Sequence, residues 1–365
     1  MMTLNTQQIE QKLAEINTPY TQTDLVSSHS VESIDIDLAT GQLIVNLQLG
    51  YPCNGFKDEL ITSVKQSLEC ISEVDKITVN VRSNIVPHAV QNELKPMQNI
   101  KNVIAIASGK GGVGKSTTAV NLALSLSSDG ARVGILDADI YGPSQPRMLG
   151  LSGPPQSPDN KHMQPKQAYG IQTMSIGYLI EEDTPMIWRG PMVTSALQQL
   201  CDDTLWDNLD YLIVDLPPGT GDIQLTLCQK IPVSGAVIVT TPQDIALLDA
   251  KKGLKMFEKV DVSVLGIIEN MSIHVCSQCG HEEPIFGTGG GEVMAQKYNT
   301  MFLGGVPLDI HIRQHVDQGH PTVVADPDGS IARAYGDIAR RTAANLSLRP
   351  REYRGKFPKI VVENK

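Results

Sequence analysis

Residues 106–118 read IASGKGGVGKSTT. The run leading into them, Val103 to Ala107, carries no charge and no alternation, which predicts a strand buried on both faces. It enters a glycine-rich loop (Gly109, Lys110, Gly111, Gly112, Val113, Gly114), followed by Lys115, Ser116 and a helical pattern through Leu126. The spacing is G-x-x-x-x-G-K-S/T, with Gly109 and Gly114 as its fixed glycines. Backbone N–H groups converge on a phosphate only where no side chain blocks the approach, so the loop reads as a phosphate cradle. The helix that follows turns its positive end to the same anion. Lys115 brings a mobile charge to the β- and γ-phosphates of a nucleotide, and the Ser116 hydroxyl is suited to ligate Mg²⁺.

A second lysine, Lys110, lies inside the loop. The string KGGVGKST resembles the deviant phosphate-binding loop of the dimeric ATPases that include the MinD, ParA, ArsA and nitrogenase iron protein groups. That resemblance implies that Lys110 reaches across a dimer interface to the partner's nucleotide, so an ATP-driven homodimer is expected.

The whole chain is long enough for two domains, with 365 residues, 41% hydrophobic and 19% charged, an ordinary soluble globular composition. A net charge of −10 argues against gripping nucleic acid or an anionic membrane through bulk electrostatics. No apolar run is long enough to span a bilayer, and the N-terminus, MMTLNTQQIEQKLAEI, is polar and acidic rather than a signal peptide. Six scattered cysteines fit a reducing cytoplasm better than a disulfide framework.

Residues 1–84 show an α-β-β-α-β order. Ile9, Leu13 and Ile16 share a helical face; Ile34, Ile36 and Leu38 alternate, as do Leu43, Val45, Leu47 and Leu49 beyond a turn at Ala39-Thr40-Gly41. A helix is expected from Phe56 to Ile71 and a third strand at Ile77, Val79 and Val81. Residues 85–100, polar with Pro87 and Pro96, read as a linker. From 101 to 347 strand and helix alternate, with strands at Val103–Ala107, Val133–Asp137, Ile171–Ile176, Tyr211–Asp215, Ala236–Thr240, Val262–Glu269 and Phe302–Val306. The fold class is therefore α/β, a P-loop NTPase with a mainly parallel sheet covered on both faces, preceded by a small α+β domain. The Pro/Gly/Ser/Gln-rich segment from Gly142 to Gln167 is expected to be a mobile flap, and 348–365 a basic, polar tail.

Asp137 and Asp139 end the second strand of the larger unit, where ligands bind in open α/β sheets; a carboxylate there orients an attacking water or the Mg²⁺ hydration shell, although a lone Asp is ordinarily a cap. Asp215, closing the run Tyr211–Val214, is suited to hold Mg²⁺ through water. Pro217-Pro218-Gly219 makes a stiff turn with one free rotation, able to sense the γ-phosphate with the Gly219 N–H. Asn270, read as closing the strand VLGIIEN, is a turn residue or a donor and acceptor for an adenine edge.

Cys276 and Cys279 form the one closely spaced cysteine pair. Three readings compete: a zinc knuckle with His274 and His281, cramped into eight residues; a redox disulfide; and a Cys₄ iron–sulfur site completed by two chains on a two-fold axis. The dimer implied by Lys110 makes the third the most economical. The isolated Cys53, Cys70, Cys201 and Cys228 read as buried thiols.

WRGPMVTSALQQL, LDYLIVDLPPGTGDIQLTL, VIVTTPQDIALLDAKKGLKMF, IIENMSIHVCSQCGH and IFGTGGG, together from about residue 100 to 345, resemble the Mrp (ApbC) family of iron–sulfur cluster carrier ATPases. The N-terminal unit resembles the small domain ahead of the ATPase in many bacterial members, but NTPYTQTDLV stands where an Asp-Pro-Glu segment is common, so no catalytic role attaches to it and Cys53 is only an auxiliary thiol. The resemblance implies ATP binding by Gly111, Gly112, Gly114, Lys115, Ser116 and Thr117, with Lys110 acting across the dimer. It implies Asp139 and Asp215 near the hydrolytic water and Mg²⁺, Asn270 at the base, and Cys276 and Cys279 as ligands of a [4Fe–4S] cluster. LGGVPLD adds Pro307 and Asp309 on the base side. Partners implied are a cluster-assembly scaffold and apo iron–sulfur proteins, with no nucleic acid and no membrane. A MinD/ParA-like positioning ATPase would need a membrane helix or basic face; a nitrogenase-iron-protein-like reductase would need cysteines at two separated places, each ahead of a helix.

Overall fold

The apolar run that ends in the glycine-rich loop is a central strand of a wide sheet. The computed structural model describes residues 5–37, 39–71, 74–91, 94–180, 190–276 and 278–351. Leu38, Trp188 and Arg189, and the tail beyond Arg351 lie outside the described residues. The N-terminal unit runs α1 (Thr6–Leu13), β1 (Val31–Asp37), β2 (Gln42–Leu49), α2 (Lys57–Leu68) and β3 (Lys76–Ser83). The rest begins with β4 (Ile100–Ala107), α3 (Lys115–Ser128), β5 (Val133–Asp137), α4 (Gln145–Met148), β6 (Lys166–Ala168), β7 (Ile171–Ser175), α5 (Gly190–Asp202), β8 (Leu209–Asp215) and α6 (Asp222–Lys230). It closes with β9 (Gly235–Thr240), α7 (Asp244–Lys259), β10 (Val264–Val275), β11 (Glu282–Glu283), α8 (Gly290–Lys297), β12 (Phe302–Leu308), α9 (Ile310–Asp317), α10 (Thr322–Ala325) and α11 (Ser330–Ser347).

Strands β12, β10, β9, β4, β8, β5 and β7 pair in parallel in that order, with β6 antiparallel on β7 and β11 antiparallel on the far end of β10. Alternate residues of β4 feed opposite cores. Ile104 and Ile106 pack on the side of α3 and α11, whereas Val103, Ala105 and Ala107 pack on the side of α5, α6 and α7. This is why the run has no polar alternation: both faces are dry. All strand C-termini of the parallel set point the same way, so the loops after β4, β5, β8 and β10 meet at one rim.

In the smaller unit β1, β2 and β3 form a three-stranded sheet in that order. Leu43, Val45, Leu47 and Leu49 of β2 are fully buried against α1 and α2, and Ile44, Asn46 and Gln48 between them lie on the other face, with Asn46 Nδ2 donating to Ser33 Oγ at 2.8 Å. Its inner residues and those beneath α3 and α11 belong to one continuous hydrophobic core.

Three expectations need correction. Residues 142–167 are anchored rather than a flap: Gln145 is fully buried in α4, Met163 exchanges backbone bonds with Asp203 and Leu205 (2.8 and 2.9 Å), and β6 joins the sheet. The strand expected to end at Glu269 runs on to Val275, with a break in register after Asn270 where Met271 takes φ 56°. Segment 85–100, read as a linker, is in part tied down. His88 and Gln91 are buried, with His88 N–H donating to Asn102 Oδ1 (3.0 Å) and Gln91 Nε2 to Cys228 O (2.7 Å).

Candidate functional site: a phosphate-binding cleft and a cysteine hairpin

Gly112 and Gly114 adopt φ of 80° and 79°, a region that carries the loop around without a Cβ clash. Gly114 begins α3, and a Cβ there would lie 2.1 Å from Asn270 Nδ2. Gly109 is pressed on the backbone of α7, where a Cβ would meet the Asp249 carbonyl carbon at 2.2 Å. The loop therefore has a floor, β10 and α7, that tolerates only glycine at its two fixed positions. The cleft above it, about 220 Å³, is lined by Gly111, Lys115, Ser116, Thr117, Asp139 and Pro218 among others.

Lys115 is 5% exposed, with its ammonium donating to Asp215 Oδ1, 3.2 Å from Ser116 Oγ and 3.9 Å from Asp139 Oδ2. A cation thus already sits where Ser116, Asp139 and Asp215 converge. Burial raises the Asp139 pKa, with Lys115 opposing it. Asp137 lies deeper: burial and then the neighbouring Asp215 push its carboxyl up to about 7. Its oxygens accept from the N–H groups of Asp139 (3.2 Å), Ser144 (3.0 Å) and Gln145 (3.1 Å) and from Ser175 Oγ (3.1 Å). Asp137 therefore organises the loop that carries Asp139.

Gln145 is a site residue that the sequence reading missed. Its Nε2 donates to Ser116 O (3.0 Å) and Asp215 Oδ2 (2.9 Å), and its Oε1 has no partner among the described residues. The available signal was Ser144-Gln145-Pro146, a proline in the first turn of a helix. Lys110 makes no ion pair among the described residues and is half-buried at the cleft edge. The Gly219 N–H donates to Ser108 O (3.0 Å), so sensing a phosphate requires that bond to open. Asn270 Nδ2 donates to Val113 O (2.8 Å), bracing the loop from below. Pro307 lies one residue beyond Val306, the β12 partner of Asn270; Asp309 caps α9, accepting from His311 N–H at 2.7 Å.

Beyond Met271, β10 breaks register with β12, meets it again at His274 and Leu308, and forms a hairpin with β11 whose turn carries the cysteine pair. The Cys276 N–H donates to His281 O (2.9 Å) and the Gly280 N–H to Cys276 O (2.8 Å), with Gly280 at φ 71° closing the turn. Cys276 is half-buried and Cys279 exposed. Backbone N–H groups of Gln278 and Cys279 lower the Cys276 thiol pKa, as a thiolate ligand needs. His274 lies 3.1 Å from Leu308 O through Nδ1. Among the described residues no three His, Cys, Asp or Glu side chains come together as a metal site, so one chain presents two thiols and not a ligand set. Cys53, Cys201 and Cys228 are buried, and Cys53 lies 3.1 Å from Ser83 Oγ with its pKa raised by burial. Cys70, expected to be buried, is exposed, because it falls just past the end of α2 on the outer side.

A family model described as "NUBPL iron-transfer P-loop NTPase" matches residues 99–343, and one described as "Iron-sulfur cluster assembly protein" matches residues 6–81. The chain belongs to the NUBPL-type iron-transfer P-loop NTPases. An iron-sulfur cluster carrier protein of Haemophilus influenzae is 51% identical over 340 residues, 93% of this chain and 91% of that protein. The iron-sulfur cluster transfer protein NUBPL of Mus musculus is 51% identical over 258 residues, 70% of this chain and 81% of its own. Among solved structures, a nucleotide-binding protein of Archaeoglobus fulgidus in complex with ADP superposes with a TM-score of 0.56 at 37% identity, over 63% of this chain and 90% of that one. As an iron-transfer P-loop NTPase, the chain joins a nucleotide cleft and a cysteine hairpin along one strand, β10, which supplies Asn270 under the loop and leads at its end directly into Cys276.

Proposed function

We propose that this protein is a cytoplasmic, ATP-hydrolysing iron–sulfur cluster carrier that holds one [4Fe–4S] cluster between the Cys276 and Cys279 pairs of two copies. It receives the cluster from an assembly scaffold and hands it to apoproteins. The observation that carries the reading is the hairpin turn: two thiols, one lowered in pKa, with no third ligand beside them among the described residues. All-cysteine ligation needs four thiolates, which two chains supply across a two-fold axis. Lys110, without an ion-pair partner among the described residues, is free to reach the partner's nucleotide.

The donor set fits Mg²⁺, since the Lys115 ammonium already occupies the place where a hydroxyl and two carboxylates meet. Ser116 and Asp215 would hold the ion, which screens phosphate charge when bound. Lys115 turns from Asp215 to the β- and γ-phosphates, Thr117 and the loop N–H groups orient them, and Asp139 aligns the attacking water. Asn270 ties loop position to β10 and hence to the cysteine hairpin, so nucleotide state gates cluster loading and release.

Anaerobic reconstitution followed by native mass spectrometry tests this reading. A dimer with about two iron atoms per chain is expected, lost in Cys276→Ala or Cys279→Ala with ATP binding kept. A monomer holding a complete cluster, or a cluster retained in the double variant, overturns it.

A further inference from the structure

A second hollow, about 670 Å³, lies between α6 and α7, lined by no residue of the phosphate loop and by neither Cys276 nor Cys279. Its apolar floor is Leu225, Leu248 and Met256, and Lys251, Lys252, Lys255 and Lys259 stand along its rim. Residues 248, 251, 252, 255 and 259 follow steps of three and four, so they form one stripe of α7. Leu248 is 60% exposed, although helices of this fold otherwise turn their leucines inward. Four lysines on one face run against a chain charge of −10. Two of them have surface partners, Lys252 with Asp249 (2.9 Å) and Lys255 with Glu258 (2.8 Å), pairs weak enough for a competing carboxylate to replace. Lys251 and Lys259 have no ion pair among the described residues. Asp222 is the one carboxylate on the wall.

We propose that this groove docks an acidic amphipathic helix of a partner protein, with leucine-like side chains on the floor and carboxylates against the lysine rim. Charge complementarity decides the occupant. A second copy meeting this face on a two-fold axis would set lysines against lysines. The far wall, Thr220-Gly221-Asp222, continues directly from Pro218, which lines the phosphate cleft, and from Gly219, whose N–H holds Ser108 O. Gly219 has φ 102° and open space where a Cβ would lie, so once its bond to Ser108 O opens this short segment has room to swing between the two cavities. A helix seated in the groove therefore favours one position of the segment that closes on nucleotide. Docking stands without the carrier reading; its coupling to nucleotide rests on that reading.

The probe is a fluorescein-labelled synthetic helix of about 14 residues, leucine at i, i+3, i+4 and i+7 and glutamate elsewhere, followed by anisotropy with the full chain. Binding is expected that weakens about tenfold or more in Lys251→Glu/Lys259→Glu and in Leu248→Ser, and that falls as salt rises. The double variant Lys251→Arg/Lys259→Arg should bind as the parent does. A matching peptide with lysine for glutamate, or serine for leucine, should not bind. With a non-hydrolysable ATP analogue the peptide affinity should shift, and by linkage the peptide should shift the analogue's affinity by the same factor. No binding, equal binding of the control peptides, unchanged binding in the Glu and Ser variants, or self-association of the chain that those variants abolish overturns the docking. Peptide binding that is indifferent to the analogue overturns only the coupling, and cluster content in the same variants reads the carrier function separately.

Discussion

Lys115 is buried and paired with Asp215, and under the proposed function its ammonium turns from that carboxylate to the β- and γ-phosphates. A buried ammonium needs a counter-charge at every moment, which on the proposed reading Asp215 and triphosphate supply in turn. Lys115→Ala should weaken ATP binding by about two orders of magnitude, on the order of 3 kcal/mol, by titration calorimetry. Lys110→Ala should keep binding and lose hydrolysis, measured as phosphate release; equal loss of affinity in both variants would remove the role across the dimer. Gln145 belongs to the same network. Gln145→Ala deletes the bonds to Ser116 O and Asp215 Oδ2, so hydrolysis should drop about tenfold or more with a smaller change in ATP affinity. An unchanged rate would make Gln145 only a packing residue of α4.

At the level of elements, the strands were legible wherever both faces are dry. Val133–Asp137 was read with its observed bounds and β9 to within one residue, because an uninterrupted apolar run has few other uses. The far half of β10 was hidden. Met271, Ile273 and Val275 alternate with Ser272 and His274, but only over five residues beyond a turn-forming Asn270, and that half breaks register at a left-handed residue, keeping one pairing to β12 (His274 with Leu308) and a two-residue edge with β11. The loop at 142–167 was hidden for another reason: its order comes from the buried Asp137 carboxylate at one end and from the Met163 backbone bonds and β6 further on, none of which composition reveals, and glycine and proline content reads as slack. Segment 85–91 is similar. Its order depends on His88, whose Nδ1 lies 2.9 Å from Asn102 Oδ1 and whose pKa is lowered by burial, partly offset by that contact. The sign follows: the unfolded imidazole takes a proton near pH 6.5 and the folded one resists it, so stability is full above that value and falls as pH drops below it. His88→Gln should flatten the fall in thermal midpoint between about pH 7.5 and 5.5, relative to the parent. Parallel pH profiles would show that other groups set the slope.

Across the whole molecule, the two sheets meet at the far end of the phosphate-loop helix. Asp129, just past α3, takes a two-pronged contact from Arg340 of α11, Nε to Oδ2 at 2.7 Å and Nη2 to Oδ1 at 3.0 Å. The smaller unit closes over that pair. The Gly55 N–H donates to Asp129 Oδ1 (3.0 Å), Tyr20 OH accepts from Arg340 (3.2 Å), and the rings of Tyr20 and Phe56 flank the guanidinium at 5.7 and 5.8 Å. Asp129 is 4% and Arg340 19% exposed in their side chains, so the pair is dry because the N-terminal unit covers it. Residues 85–100 read as a linker between separate units, yet the two units share a hydrophobic core and a buried ion pair. Arg340→Ala should cost about 3 kcal/mol, because it strands a buried carboxylate, whereas Asp129→Ala/Arg340→Ala together should cost less than the sum of the singles. Arg340→Lys should recover only part, since a point charge cannot reproduce the fork. The full chain should melt in one transition, and removal of residues 1–84 should lower the midpoint by on the order of 5–10 °C. In the truncated chain the Arg340→Ala penalty should shrink to about 1 kcal/mol or less, because the pair is then wet. A penalty of the same size with and without the smaller unit, read by denaturant titration, would show that the pair belongs to the larger unit alone and that the two sheets do not share their stability.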